Sequence, residues 1–285
     1  MSGTGNDFIL IDNRQSVITK KEMAELAKAI CRRRFSVGAD GLILIEESET
    51  ADFRWQFFNA DGSRAEMCGN GARCAARYAF SRKIAPVKMK FETDAGLINA
   101  EIIGKSVKIK LTQPTGIKMS QSVDLDGTKK IIHSINTGVP HAVHFVEDYS
   151  STPVLEWGRT IRHHKLFQPA GTNVNFVMLP QNEMYVRTYE RGVEDETMAC
   201  GTGAVASALI AALHGHVTSP AKVTTSGGEQ LIIHFSLVDQ PAGQISDASR
   251  HEQRITEVYL EGPARFIYEG NLDSEAVEGS KKKVR

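Results

Sequence analysis

Net charge is what this chain lacks most plainly: its 34 Lys and Arg residues are matched by 34 Asp and Glu. The balance removes the basic footprint that nucleic acid or an anionic membrane surface requires, so the expected partner is a small molecule. Cysteine is scarce as well. Only four occur, at positions 31, 68, 74 and 200, with no Cys-x-x-Cys pair, which excludes a disulfide framework and the usual dithiol redox motif. Cys68 and Cys74 are badly spaced for a ligand pair and His163 and His164 are adjacent, so no zinc set assembles and no metal is expected. The longest apolar run, from Ala204 to Leu213, is too short to span a bilayer and reads as a buried helix. No secretory leader is recognised, and the expectation is a soluble protein of the reducing cytoplasm.

What the chain does have is a repeat. Phe57 to Arg77 reads as a strand, a polar turn and then Cys68 where a helix begins. The same core, Cys-Gly-x-Gly-Ala, returns at Cys200-Gly201-Thr202-Gly203-Ala204, 132 residues further on. In a chain of 285 residues that offset favours two domains over one large one. The expected boundaries are 1–116 for the half carrying Cys68 and 117–262 for the half carrying Cys200, with a last strand at 263–270 returning to the first half and a disordered tail at 271–285.

Apolar periodicity places the elements. A strand follows the glycine-rich start at 8–12, and Thr19 caps a helix over 20–34 that ends in the basic cluster Arg32 to Arg34. Strands are expected at 42–45, 53–58, 87–92, 97–103 and 106–112, with a helix over 69–82, and Pro114-Thr115-Gly116 closes the half. In the second half, strands are expected at 131–136, 142–146, 174–179, 184–189, 222–225, 230–237, 255–260 and 265–268. Helices are expected over 154–162 and after Cys200, and an irregular polar insertion over 239–254. Arg73 and Arg77 read as solvated helix faces, and Cys31 and Cys74 as core residues.

A Gly-x-Gly directly after a cysteine lets backbone N–H groups converge, and the helix behind them adds partial positive charge. Such a place holds a carboxylate and favours thiolate over thiol. A lone cysteine there would be read as a small buried hydrophobe, but two copies suggest a pocket with a sulfur on either face of one bound molecule. That suits stereoinversion: one thiolate takes the proton from an α-carbon, the opposite thiol returns one to the other face, and no electron-sink cofactor is needed.

The motifs Gly5-Asn6-Asp7-Phe8, Phe58-Asn59-Ala60-Asp61-Gly62-Ser63, Cys68-Gly69-Asn70-Gly71-Ala72-Arg73, Pro140-His141-Ala142-Val143, Asn173-Val174-Asn175-Phe176, Tyr189-Glu190-Arg191-Gly192 and Ala199-Cys200-Gly201-Thr202-Gly203 resemble, in this order, the diaminopimelate epimerase family. The resemblance implies an α/β (α+β) fold of two pseudo-symmetric domains, each a mostly antiparallel curved sheet or barrel around a central helix. It implies epimerisation of LL-diaminopimelate to the meso isomer, without cofactor, by a homodimer. Carried over position by position, it makes Cys68 and Cys200 the acid/base pair and gives the reacting α-carboxylate to Gly69, Asn70, Gly201 and Thr202. Asn6, Asn59, Asn173 and Arg191 would hold the distal end, and His141 and Glu190 would tune the thiols, with Glu190 also against the substrate.

Three positions depart from the family's pattern. The short strand before Gly3 is nearly absent, so the expectation is a natural start upstream of Met1. Val139 stands where a substrate-contacting Asn is common, and Gly41 where some members carry Gln. Two competing readings remain: a proline or hydroxyproline racemase, which would not need the distal Asn and Arg residues, and a redox protein in which Cys68 and Cys200 cycle through a disulfide.

Overall fold

A computed structural model of the chain describes residues 1–181, 183–239 and 253–278. Two compact units emerge, one made of Met1–Ile109 with the segment from Gly262 onward, the other of Lys110–Glu261.

The first unit runs β1 (Ser2–Gly3), β2 (Asn6–Asp12), α1 (Lys20–Ile30), β3 (Gly41–Glu46), β4 (Phe53–Asn59), α2 (Gly69–Ser81), β5 (Lys88–Thr93), β6 (Gly96–Ile103) and β7 (Ser106–Lys110). Its strands neighbour one another in chain order. The pairs β2/β3 and β4/β5 are parallel and the rest antiparallel. A parallel pair needs a crossover, and α1 and α2 supply the two. In β3 the run Leu42 to Ile45 is wholly buried, as an apolar strand covered on both faces must be. At the start of α1 the Glu22 carboxylate accepts from the Thr19 backbone N–H (3.0 Å) and hydroxyl (2.6 Å).

Helix α1 stops at Ile30, short of the expected 34. The Gly38 N–H takes the Ile30 carbonyl at 2.9 Å and Arg34 sits at φ 70°, so the chain turns away before the basic cluster. Helix α2 packs on β1, β2, β3 and β6, and the small buried residues Ala72, Cys74, Ala75, Ala76 and Ala79 allow that close approach.

The second unit runs β8 (Thr115–Leu125), β9 (Thr128–Asn136), β10 (Pro140–Phe145), α3 (Val154–Arg162), β11 (Asn173–Met178), β12 (Tyr185–Glu190), β13 (Asp195–Thr197), α4 (Gly201–Leu213), β14 (Ala221–Thr225), β15 (Gln230–Asp239) and β16 (Gln253–Pro263). Its strand order is β8-β9-β10-β11-β12-β14-β15-β16, with β13 beside β12. Here β10/β11 and β12/β14 are the parallel pairs, crossed by α3 and α4. The second unit thus repeats the pairing directions and helix positions of the first. Helix α4 contacts β9, β10, β11, β12, β14 and β15, and every residue from Gly203 to Ala212 is buried. A helix that is apolar all round is one enclosed by its own sheet.

Three further expectations change. Strand β8 begins at Thr115 and was missed, because exposed and polar positions dominate it and its pairing to β9 is interrupted by register shifts. Residues 265–268 form no strand; a single bridge joins Arg265 to Ser2. Within the tail expected to be disordered, Glu275–Glu278 form a helical turn, α5, whose Val277 packs on the cluster around Met23 and Ile30. Residues 279–285 of that tail and most of the polar insertion lie outside the described residues.

Candidate active site

In the first unit, β4 delivers the chain into a tight turn that sets up Cys68. The Asp61 carboxylate accepts from the Ser63 N–H (2.8 Å) and hydroxyl (2.6 Å), and Asn59 donates its side-chain N–H to Ser63 Oγ at 2.9 Å. Gly62, at φ 80°, has the Ala24 carbonyl 2.6 Å from where a Cβ would stand, so only glycine fits. Cys68 is then the extended N-cap of α2, at φ −146° and ψ 119°, and its carbonyl takes the first intrahelical bond, from Ala72 at 2.8 Å. The N–H groups of Gly69, Asn70 and Gly71 therefore have no partner within the helix, and the dipole places partial positive charge among them.

A chain of polar side chains runs from this helix start. Arg73, one turn along α2, donates to Asn70 Oδ1 (2.7 Å) and Thr4 Oγ1 (2.8 Å). Asn70 donates to Asn6 Oδ1 at 2.7 Å, and Asn6 donates to Asp40 Oδ2 at 2.9 Å. Arg33 closes the chain on Asp40 (2.8 Å) and Asp7 (2.5 Å). Burial works to raise the Asp40 carboxyl, but the bonds from Asn6 and Arg33 hold it below the usual carboxylate range. Arg73 is fully buried, which overturns its reading as a solvated helix face; Arg77, equally read, donates to the Ala264 carbonyl. Each finds oxygen acceptors in the protein that the helical pattern alone does not reveal.

The second unit repeats the helix start. Cys200 is the extended N-cap of α4, at φ −123° and ψ 108°, with its carbonyl bonded by Ala204 at 2.9 Å. Helices α2 and α4 each have thirteen residues. Burial, with the Glu190 carboxylate adding to it, pushes the Cys200 thiol up to about 12, while the Thr202 hydroxyl and the N–H groups of Gly203 and Thr202 pull the other way. Glu190 is itself raised by burial, against the Thr197 hydroxyl that donates to it at 2.9 Å. Gly203 is where the cluster closes up: a Cβ there would meet Asn175 Oδ1 at 2.3 Å and both Cys200 Sγ and Thr188 Oγ1 at 3.2 Å.

Next to it, His141 on β10 is wholly buried, and its Nε2 has no hydrogen-bond partner among the described residues. Its Nδ1 lies 3.1 Å from Asn175 Nδ2. Burial, helped by the charge of Arg191, lowers its pKa to about 3. Asn173, paired in register with His141, donates to the Pro140 carbonyl (3.1 Å) and accepts from the Arg191 backbone N–H (2.9 Å). The Arg191 guanidinium donates to the Ala170 carbonyl at 3.2 Å.

The sequence model of the diaminopimelate epimerase family matches residues 1–116 and 133–242. The diaminopimelate epimerase of Aquifex aeolicus (strain VF5) is 44% identical, covering 98% of this chain and 98% of that protein. That of Chlorobaculum tepidum is 42% identical over 95% and 99%. The chain belongs to the diaminopimelate epimerase family. Among solved structures, a PhzF-family protein of Bacillus anthracis shares the fold at a TM-score of 0.62 and 17% identity, over 92% of each chain. A hydroxyproline epimerase of Agrobacterium vitis does so at 0.58 and 15%, over 86% of this chain and 79% of that one.

Against the family's pattern, the first unit gathers Asn6, Gly69 and Asn70 at the Cys68 helix start, while the Asn59 side chain is bonded within its turn to Ser63, next to Ala60, whose N–H donates to the Asp40 carbonyl. The second gathers Gly201, Thr202 and Glu190 about Cys200, and Asn173, His141 and Arg191 beside one another. Gly41 has no room for the family's alternative Gln, since a Cβ would lie 2.7 Å from the Phe57 ring and from the Phe58 carbonyl. Sequence reading missed Arg73, Asp40, Asn175 and Thr188. A signal existed for two of them: Arg73 is three residues from Asn70 on one helix face, and Asn175 shares a strand face with Asn173 in an otherwise apolar run.

Proposed function

We propose that the chain is a cofactor-independent epimerase that interconverts LL- and meso-diaminopimelate, with Cys68 and Cys200 as its acid/base pair. The observation that carries the reading is the duplicated N-cap cysteine: two thirteen-residue helices, one per unit, each begin behind Cys-Gly-x-Gly-Ala in a member of this family.

The mechanism requires the two sulfurs to reach one α-carbon from opposite faces. A thiolate takes the α-proton, the electron pair it leaves delocalises into the α-carboxylate, and the opposing thiol delivers its own proton to the other face. Nothing is oxidised or reduced. The backbone N–H groups of Gly69, Asn70, Gly201 and Thr202 suit the α-carboxylate, on which charge builds as the proton leaves. Burial and the Glu190 carboxylate favour the protonated Cys200 thiol, which suits it to deliver a proton; acting as base, it relies on the helix-start N–H groups. Asn6, Asn59, Asn173 and Arg191 take the distal ammonium and carboxylate, with Asn173 keeping one N–H for a ligand and Arg191 offering a bidentate fork. His141 and Glu190 tune the thiols, and Glu190 also borders the substrate.

Fold likeness to a hydroxyproline epimerase does not extend to that substrate. A homodimer and a cytoplasmic setting belong to the same reading. The exposed apolar residues Phe266, Ile267, Tyr268 and Leu272 beside Val37 support the dimer, which sedimentation velocity tests. No helix among the described residues is long and apolar enough to cross a membrane. The test of the function is incubation of pure protein with LL-diaminopimelate in deuterated water. Appearance of the meso isomer with deuterium at the inverted α-carbon is expected; turnover of proline instead would overturn the reading.

A further inference from the structure

The hydrogen bonds around Asn175 fix the protonation state of its neighbour. Asn175 Oδ1 accepts from the Thr188 hydroxyl at 2.9 Å, and its Nδ2 donates to the Ala142 carbonyl at 2.9 Å. A carbonyl can only accept, so the orientation of this amide is settled. Its Nδ2 carries two hydrogens. One goes to Ala142 and the other faces His141 Nδ1, 3.1 Å away. A donor facing Nδ1 requires that nitrogen to accept, so the single ring proton must sit on Nε2. That Nε2 finds no partner among the described residues, on a side chain with no exposure to solvent. A buried N–H with nothing to donate to costs about 1–3 kcal/mol, a cost that a passing structural role does not explain.

We propose that Asn175 is a positioning residue that fixes His141 as the neutral Nε2–H tautomer, so that His141 serves as an uncharged donor to an anionic acceptor arriving with the reaction. The donor role rests on the epimerase reading; the tautomer does not. His141 is then neither a cation that attracts a thiolate nor a base that removes a proton. The charge of Arg191 beside it disfavours the imidazolium further. Two anions of the same chemistry could be the acceptor, a substrate carboxylate oxygen or the Cys200 thiolate, whose sulfur lies against the same spot at Gly203 as Asn175 Oδ1.

Long-range proton–nitrogen NMR of uniformly nitrogen-15-labelled full-length protein reads the ring directly, with His141→Gln identifying the signal. In the ligand-free wild type, between pH 5 and 8, an unprotonated Nδ1 and a protonated Nε2 without titration are expected; an imidazolium or an Nδ1–H ring would overturn the proposal. Asn175→Asp turns the donor into an acceptor and should move the proton to Nδ1 and bring the ring into the titrating range, whereas Asn175→Ala should give a mixture of tautomers. An unchanged ring in either folded variant would show that Asn175 does not set it, and the wild-type spectrum stands if neither folds. To identify the acceptor, diaminopimelate is added to Cys200→Ala protein, and separately the ligand-free wild type is taken to high pH. A shift of the Nε2 proton in the first assigns a carboxylate, in the second the thiolate, and no shift in either overturns the donor role. The proposed tautomer in a protein that fails to turn over diaminopimelate would defeat the epimerase reading alone.

Discussion

Arg73 Nη2 donates to Asn70 Oδ1 at 2.7 Å from one turn further along the same helix. The bond fixes which end of the Asn70 amide faces Asn6, because an oxygen engaged by a guanidinium leaves only Nδ2 to donate onward. The two asparagines are thereby aligned between a buried cation and the Asp40 carboxylate, each dipole reinforcing the next.

Arg73→Met should therefore raise KM for diaminopimelate about tenfold and lower stability by roughly 1–3 kcal/mol, since Asn70 and Thr4 lose their buried donor. Arg73→Lys should not restore binding, because both bonds come from Nη2 and the lysine side chain ends one bond short of where that nitrogen stands. Steady-state kinetics beside thermal melting checks this; unchanged KM in a destabilised variant would reduce Arg73 to scaffolding.

In the proposed mechanism the chemistry belongs to the two of the four thiols that stand at the duplicated helix start. Cys68→Ala and Cys200→Ala should each abolish epimerisation, whereas Cys74→Ala should keep most of it and cost about 1 kcal/mol of stability. Cys74 is wholly buried, and desolvation pushes it up to about 12. Chiral chromatography of the product distinguishes the outcomes, and comparable losses in all three would remove the assignment.

Glu190 and Cys200 oppose one another electrostatically: a carboxylate beside a thiol disfavours the thiolate, so its removal must lower the thiol pKa. In Glu190→Gln the alkylation of Cys200 by iodoacetamide, followed by peptide mapping, should shift to lower pH than in wild type. Thr197→Val should act through Glu190 itself, raising that carboxyl further by deleting the hydroxyl that donates to it. A Cys200 profile that ignores Glu190→Gln would mean another group governs the sulfur.

The two cysteines, their helices and the alternation of strands were legible because each leaves a local mark: a glycine pair after a cysteine, apolar spacing, a turn. What the sequence concealed is non-local. Arg73 looks solvated until Thr4, brought close by β1 and β2, supplies its acceptor. Asn175 shares a strand face with Asn173, but its partner shows only when the pairing of β10 with β11 brings the His141 ring within 3.1 Å of its amide. Strand β8 is mostly polar and exposed, so its pairing with β9, not its pattern, makes it a strand.

The equivalent glycines Gly71 and Gly203 should not tolerate alanine equally. At Gly71 the nearest atom to a new Cβ is the Ile43 Cδ1 methyl at 3.2 Å, the far end of an adaptable side chain. At Gly203 it is Asn175 Oδ1 at 2.3 Å, held by the Thr188 hydroxyl, with the Cys200 sulfur close behind. Gly203→Ala should cost about 1–3 kcal/mol more than Gly71→Ala by overpacking and should depress kcat by displacing Cys200. Denaturant titration with kinetics measures both, and equal costs would contradict the difference in packing.

His141 also makes stability depend on pH in a direction the site dictates. Burial lowers its pKa from 6.5 to about 3, so the unfolded chain binds a proton that the folded chain refuses. Stability is full above pH 6.5 and falls as pH drops toward 3, by about 1.4 kcal/mol for each pH unit once well inside that window. His141→Gln carries no such proton. The difference in unfolding free energy between wild type and His141→Gln, from urea titrations at half-unit steps from pH 7.5 to 4, should therefore change steadily against the wild type as the solution becomes acid. Other groups titrate there too, but they titrate in both proteins and cancel. A difference that stays flat with pH would mean that the folded protein accepts the proton on His141, and with it that Nδ1 is not held as an acceptor by Asn175.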